Sequence, residues 1–219
     1  MISTSPAPVL ISPPLPDPLP RPPQPTPLGI LASGKGSNMV AIAEAIAQDR
    51  LQAKIQVVIY NNPGAKVADQ AETLGIPAIL LNHRQFDRRE ALEHEIVMVL
   101  RQYGVEWVAM AGWMRRVTRI LLDAFPQRVL NIHPSLLPSF PGVRAVEQAL
   151  KAGVKVSGCT VHYAVLAVDS GPIILQAVVP VHPDDTPQTL QARIQAQEHR
   201  IYPAAIALAT AAVSKSAIV

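Results

Sequence analysis

Asn131 and His133 stand two residues apart in the run Val129–Leu130–Asn131–Ile132–His133–Pro134. In an extended strand that spacing puts both polar side chains on one side, with Leu130 and Ile132 on the other. Pro134 ends the run. Polar groups at the C-terminal edge of a strand lie where open α/β sheets bind ligands. A carboxamide can donate to a developing oxyanion, and an imidazole exchanges a proton near neutral pH, so the pair suits acyl or formyl transfer. The plainer alternative is a histidine satisfied by a backbone carbonyl at a strand end. Asp169, within Val168–Asp169–Ser170–Gly171–Pro172, reads first as a turn former. It is also the candidate third member, because a carboxylate beside an imidazole favours the charged ring.

A second chemical feature is the loop Ser33–Gly34–Lys35–Gly36–Ser37–Asn38. Between a strand and a helix, successive backbone N–H groups and the helix N-terminus form an anion site, and a phosphate monoester is the reading that remains after two known patterns fail. The nucleotide pattern G-x-x-x-x-G-K-[ST] starts at Gly29 but meets Gly36 where a hydroxyl should hold magnesium. The dinucleotide pattern starting at Gly34 meets Met39 at its third glycine, and the next strand ends Tyr60–Asn61–Asn62 without an acid. A ligand-free tight turn is the structural alternative. His83, His94, His162, His182 and His199 have no metal-ligand spacing, and Cys159 has no neighbour that would activate it.

These residues need a scaffold, and from Leu28 onward short apolar runs alternate with longer amphipathic ones. That alternation predicts a mostly parallel sheet of strand–helix–strand units. Strands are expected at Leu28–Ala32, Ile55–Tyr60, Ile76–Leu81, Trp107–Met110 and Val129–Ile132. Helices are expected at Asn38–Gln48, Lys66–Leu74 and Phe86–Tyr103, the last with Asp87 as N-cap and Gly104 as stop. After a helix over Val143–Ala152, two successive strands, Val156–Ala164 and Ile173–Val181, predict an antiparallel addition to the sheet. Asp185–Thr186–Pro187 opens a last helix, which Pro203 is expected to interrupt before Ala204–Val213.

Composition bounds the whole. Of 22 prolines, 11 fall between Met1 and Pro27, where Asp17 and Arg21 are the only charges, so residues 1–27 read as a disordered, partly polyproline-like tail. Residues 28–219 then form one domain, with a phosphate-binding half over about 28–128 and a catalytic half over about 129–219. The net charge of +3 is dispersed, which argues against nucleic acid. No apolar stretch reaches the roughly 20 residues of a membrane span. The single cysteine and the lack of a basic leader make the cytoplasm the expected compartment.

Taken together, Gly34–Lys35–Gly36–Ser37–Asn38, Ala111–Gly112–Trp113–Met114–Arg115, Asn131–Ile132–His133–Pro134–Ser135–Leu136–Leu137–Pro138, Asp169–Ser170–Gly171–Pro172 and Glu198–His199–Arg200–Ile201–Tyr202–Pro203 resemble, in order and spacing, the phosphoribosylglycinamide formyltransferase family. The likeness runs from about Leu28 to about Ala212. It implies a Rossmann-like fold with helices on both faces. It also implies transfer of the formyl group of 10-formyltetrahydrofolate, as co-substrate and without metal, to the amine of glycinamide ribonucleotide in purine synthesis. Asn131, His133 and Asp169 would be the catalytic trio. Gly36, Ser37 and Asn38 would hold the substrate phosphate and Glu198 the ribose. Met114, Arg115, Arg116 and Val117 would form the folate-binding segment together with Asn131, with Arg89 near the glutamate tail and the loop Ala164–Asp169 over the pterin. Partners would be small molecules, with the chain a monomer or weak homodimer.

The chain departs from the family pattern at Gln195, where a basic residue is common, and at Arg116, where an aliphatic one is common. Val143–Arg144–Ala145–Val146 likewise replaces a more polar stretch. Relatives using the same donor are the nearest rivals. A methionyl-tRNA formyltransferase would carry a further C-terminal domain and a formyltetrahydrofolate deformylase an N-terminal regulatory one. An amino-sugar formyltransferase would differ in its acceptor. A nucleotide-binding module without chemistry would have no need of the trio.

Overall fold

The computed structural model describes residues 10–216. Its strands are β1 (Ile11–Ser12), β2 (Thr26–Ala32), β3 (Ala53–Tyr60), β4 (Ala78–Leu80), β5 (Trp107–Met110), β6 (Val129–His133), β7 (Val156–Tyr163) and β8 (Ile173–Pro180). Its helices are α1 (Ser37–Ala47), α2 (Val67–Thr73), α3 (Arg89–Gln102), α4 (Arg119–Ala124), α5 (Ala145–Ala152) and α6 (Pro187–Ser216). The strands make one sheet in the order β1-β8-β7-β6-β5-β2-β3-β4. From β6 to β4 all neighbours are parallel, while β6–β7, β7–β8 and β1–β8 are antiparallel. The expected mostly parallel α/β sheet with an antiparallel addition is therefore what the chain forms.

The parallel strands are apolar throughout because both faces are covered, and all four residues of β5 are buried. On one face, Leu28, Ile30 and Ala32 of β2 pack with Met39 and Ile42 of α1 and with Ile201, Tyr202 and Ile206 of α6. On the other, Leu31 meets Leu92, Ile96 and Leu100 of α3 and Leu121 of α4. Gly29 makes the second face possible: a Cβ there would lie 2.5 Å from Leu100 and 3.0 Å from Val105. Strand order reverses between β2 and β5, so the loops that follow them diverge and leave a crevice at the C-terminal edge.

Three expectations need correction, and one helix was not expected. The stretch read as a disordered tail is laid against the domain over residues 10–27. The carbonyl of Leu10 accepts from Val178 N–H, β1 pairs with β8 through Ile11↔Ala177 and Ser12↔Gln176, and Thr26 and Pro27 already belong to β2. Ile11, Leu15 and Leu19 pack on the core, and Arg21 bonds to Asp49 at 2.9 Å. Four-residue spacing supplies that apolar row, and prolines stiffen the unfolded chain enough to make ordering it cheap. Residues 1–9 of the predicted tail lie outside the described residues.

Pro203 does not interrupt the last helix, which is continuous through it. Its neighbours Ile201, Tyr202, Ala204 and Ala205 are at most 2% exposed, so packing outweighs the missing hydrogen bond. α3 starts at Arg89 with Arg88 as N-cap, and Asp87 is not its cap. Finally, α4 is unforeseen because six residues are too few to display a period.

Candidate active site

The C-terminal end of β6 carries Asn131 and His133 on one face, as the period-two spacing predicts. Antiparallel pairing with β7 sets His162 opposite Asn131 and Thr160 opposite His133. Asp169 arrives from the β7–β8 connection with a left-handed backbone, φ 49°. His133 Nδ1 is 3.3 Å from Asp169 Oδ2, and both side chains are about one-tenth exposed. The Nε2 of His133 lies 2.9 Å from the carbonyl of Phe140. Both ring nitrogens thus face acceptors, an arrangement that only the doubly protonated imidazolium satisfies as a donor at both ends. Gly142 N–H donates to Asp169 Oδ2 at 2.8 Å, fixing the carboxylate from the far side.

Asn131 is held by two partners. Its Nδ2 lies 3.1 Å from His162 Nε2 and 3.4 Å from Asp169 Oδ1. The Nδ1 of His162 faces the Tyr163 carbonyl at 2.9 Å, and burial pushes this imidazole below its ordinary range, outweighing the carbonyl and Asp169, which act the other way. A neutral ring protonated at Nδ1 leaves Nε2 free to accept from Asn131. Sequence reasoning missed His162, Phe140 and Gly142. The signal for His162 was the β6–β7 register, which no local pattern encodes.

The glycine loop lies across the crevice. Gly36, at φ 81°, is the N-cap of α1, and a Cβ there would sit 2.6 Å from Val67 of α2, so both the conformation and the space require glycine. Among the described residues no bond engages the N–H groups of Gly36, Ser37 or Asn38, which leaves them open at the helix N-terminus. Two side chains from α6 reach the same loop. Gln195 Nε2 donates to Ser37 Oγ at 2.8 Å, and Asn38 Nδ2 donates to Glu198 Oε2 at 3.0 Å. Burial raises the Glu198 carboxyl above its usual range, partly offset by the Asn38 bond.

After β5 the chain runs along the crevice as Met114–Val117, and the Met114 N–H donates to Ser33 Oγ at 2.9 Å. One cavity of about 850 Å³ joins the three parts: the glycine loop, Met114 to Val117, and the trio of Asn131, His133 and Asp169. Gln195 and Glu198 line it, as do Ala164, Val165, Leu166 and Val168 of the β7–β8 connection. Met114, Val143 and Leu166 expose apolar surface there, at 70, 66 and 48%. Arg89 does not line it and stands exposed at the start of α3. Burial pushes the Cys159 thiol far up, so it stays protonated and inert. Among the described residues no group of three or more His, Cys, Asp or Glu side chains is arranged to hold a metal, and no helix is long and apolar enough to cross a membrane.

Comparison with known proteins agrees with this geometry. Residues 28–206 match the sequence pattern of the formyl transferase family. The chain is 41% identical to the phosphoribosylglycinamide formyltransferase of Bacillus subtilis (strain 168), over 81% of this chain and 91% of that protein. It is 42% identical to part of the human trifunctional purine biosynthetic protein adenosine-3, where the match takes 83% of this chain and 18% of that longer protein. Its fold superposes on the crystal structure of glycinamide ribonucleotide transformylase 1 from Symbiobacterium toebii with a TM-score of 0.84 and 45% identity, covering 85% of this chain and 88% of that one.

Proposed function

The chain belongs to the formyl transferase family, and from that premise we propose that it moves the formyl group of 10-formyltetrahydrofolate to the amine of 5'-phosphoribosylglycinamide. The products are formylglycinamide ribonucleotide and tetrahydrofolate, a step of purine synthesis expected in the cytoplasm. The observation that carries the reading is the contact of His133 with Asp169, 3.3 Å apart beside Asn131, in one cavity with an open N-terminal phosphate loop.

In this reading the substrate phosphate takes the free N–H groups of Gly36, Ser37 and Asn38, and Glu198 accepts from the ribose hydroxyls. The folate lies along Met114, Arg115, Arg116 and Val117, under the apolar side chains of the 164–168 loop, with Arg89 left for the glutamate end. The amine attacks the formyl carbon, and negative charge develops on the formyl oxygen. His133, as imidazolium, donates to that oxygen in exchange for the Phe140 carbonyl, with Asn131 beside it. Asp169 balances the imidazolium, and the proton that the attacking amine gives up is matched by the one the folate nitrogen gains as its bond to the formyl carbon breaks.

A spectrophotometric assay of 10-formyltetrahydrofolate deformylation, with and without phosphoribosylglycinamide, tests this. Turnover that requires the ribonucleotide and is lost in His133→Ala is expected. Turnover without an acceptor would make the chain a deformylase, and turnover in neither condition would overturn the acceptor.

A further inference from the structure

Glu93, on α3, touches no part of the cavity, yet it is a carboxylate only 4% exposed. Its two oxygens accept three hydrogen bonds: from Thr118 N–H at 2.7 Å, from the Thr118 hydroxyl, and from Leu121 N–H at 3.2 Å. A carboxylate is buried at this cost only where its acceptors are filled, and here every donor comes from one short segment. That segment begins one residue after the stretch Met114–Val117. Capping α4 accounts for only one of these bonds, that from Leu121 N–H; the other two come from Thr118, whose hydroxyl already accepts from Ile120 N–H as an ordinary N-cap.

The other end of the stretch is also pinned, by Met114 N–H to Ser33 Oγ. Between the pins, no bond among the described residues engages the backbone groups of Arg115, Arg116 or Val117. A short segment fixed at both ends, with its own peptide groups unspent, is suited to a planar ring that carries donors and acceptors along its edge. We propose that Glu93 is a positioning residue for the folate: from outside the site it sets where those open peptide groups stand. This rests on the function proposed above.

The test uses the full chain with Glu93→Gln and Glu93→Ala. It measures kcat, the KM of each substrate, and binding of tetrahydrofolate followed by tryptophan fluorescence, Trp113 lining the cavity. Glu93→Ala removes all three acceptor contacts and should raise the folate KM and the tetrahydrofolate Kd about tenfold or more, with the ribonucleotide KM and kcat within about twofold. Glu93→Gln keeps one oxygen acceptor, should fold where the alanine variant fails, and should show the same split to a smaller degree. Equal rises in both KM values, or an unchanged folate KM in Glu93→Gln, would overturn the proposal. Wild-type protein that binds no tetrahydrofolate would overturn the functional reading as well, whereas wild-type binding with an indifferent Gln variant would sink only the role of Glu93.

Discussion

His133 sits between a carboxylate on one side and a peptide carbonyl on the other, so its ring is held by acceptors at both ends. Asp169→Asn keeps an oxygen for Gly142 N–H but removes the negative charge. Turnover should fall by about two orders of magnitude or more, with the circular dichroism spectrum and thermal midpoint little changed. Near-normal turnover would take Asp169 out of the mechanism. His162 offers a pH test. Its folded-state pKa is lowered by burial, so between the ordinary imidazole value of about 6.5 and that lower value the unfolded chain binds a proton that the folded chain does not. Stability should therefore fall as pH drops through this window, and His162→Gln should flatten the fall in a melting series from pH 7 to 5. An identical slope in the variant would refute the assignment. At this scale Asn131 and His133 were legible because a two-residue spacing is local. His162 was not, because its meeting with Asn131 depends on two strands finding one register.

Among the elements, α6 does the most to hold the site rigid. Its first half delivers Gln195 and Glu198 to the loop before α1, and one turn later Tyr202 donates its hydroxyl toward the carbonyls of Met110 and Leu130, at 3.2 and 3.1 Å. The glycine-loop side of the cavity is thus bolted to the middle of the sheet, to the ends of β5 and to β6. Tyr202→Phe should cost about 1 kcal/mol. In a chain of this size that is a drop of about 2–4 °C in the melting temperature, measurable by calorimetry. An unchanged midpoint would mean that these carbonyls are satisfied without it. The last helix was readable from its cap, Thr186, whose hydroxyl accepts from Thr189 N–H, but not its continuity through Pro203. Proline reports a lost hydrogen bond, while the sheet-facing packing that overrides it is tertiary.

For the whole molecule, the alternation of strands and helices was visible in the order of apolar runs, and the antiparallel turn of the sheet in two successive strands. The N-terminal stretch was misread because proline density describes how a chain behaves alone, whereas Ile11, Leu15 and Leu19 act only once β8 and the core exist. Deleting residues 2–25 should therefore lower the melting temperature by on the order of 5 °C, from the loss of three partly buried aliphatic side chains. A midpoint that does not move would mean the stretch contributes nothing. Catalytic constants should stay the same, since none of these residues lines the cavity.

The stretch has a consequence for where the protein can be cut. The part shared with the family begins at residue 28, after the strand that covers β8. A protein trimmed to that boundary would keep every residue of the site and lose its edge protection. It would bare the edge of β8 at Gln176, Ala177 and Val178, where β1 and Leu10 bond to it, and so join them to an outer row that starts at the 47% exposed Ile173 and could pair with the same strand of a neighbouring molecule. Such a truncation would be active when dilute and would aggregate when concentrated.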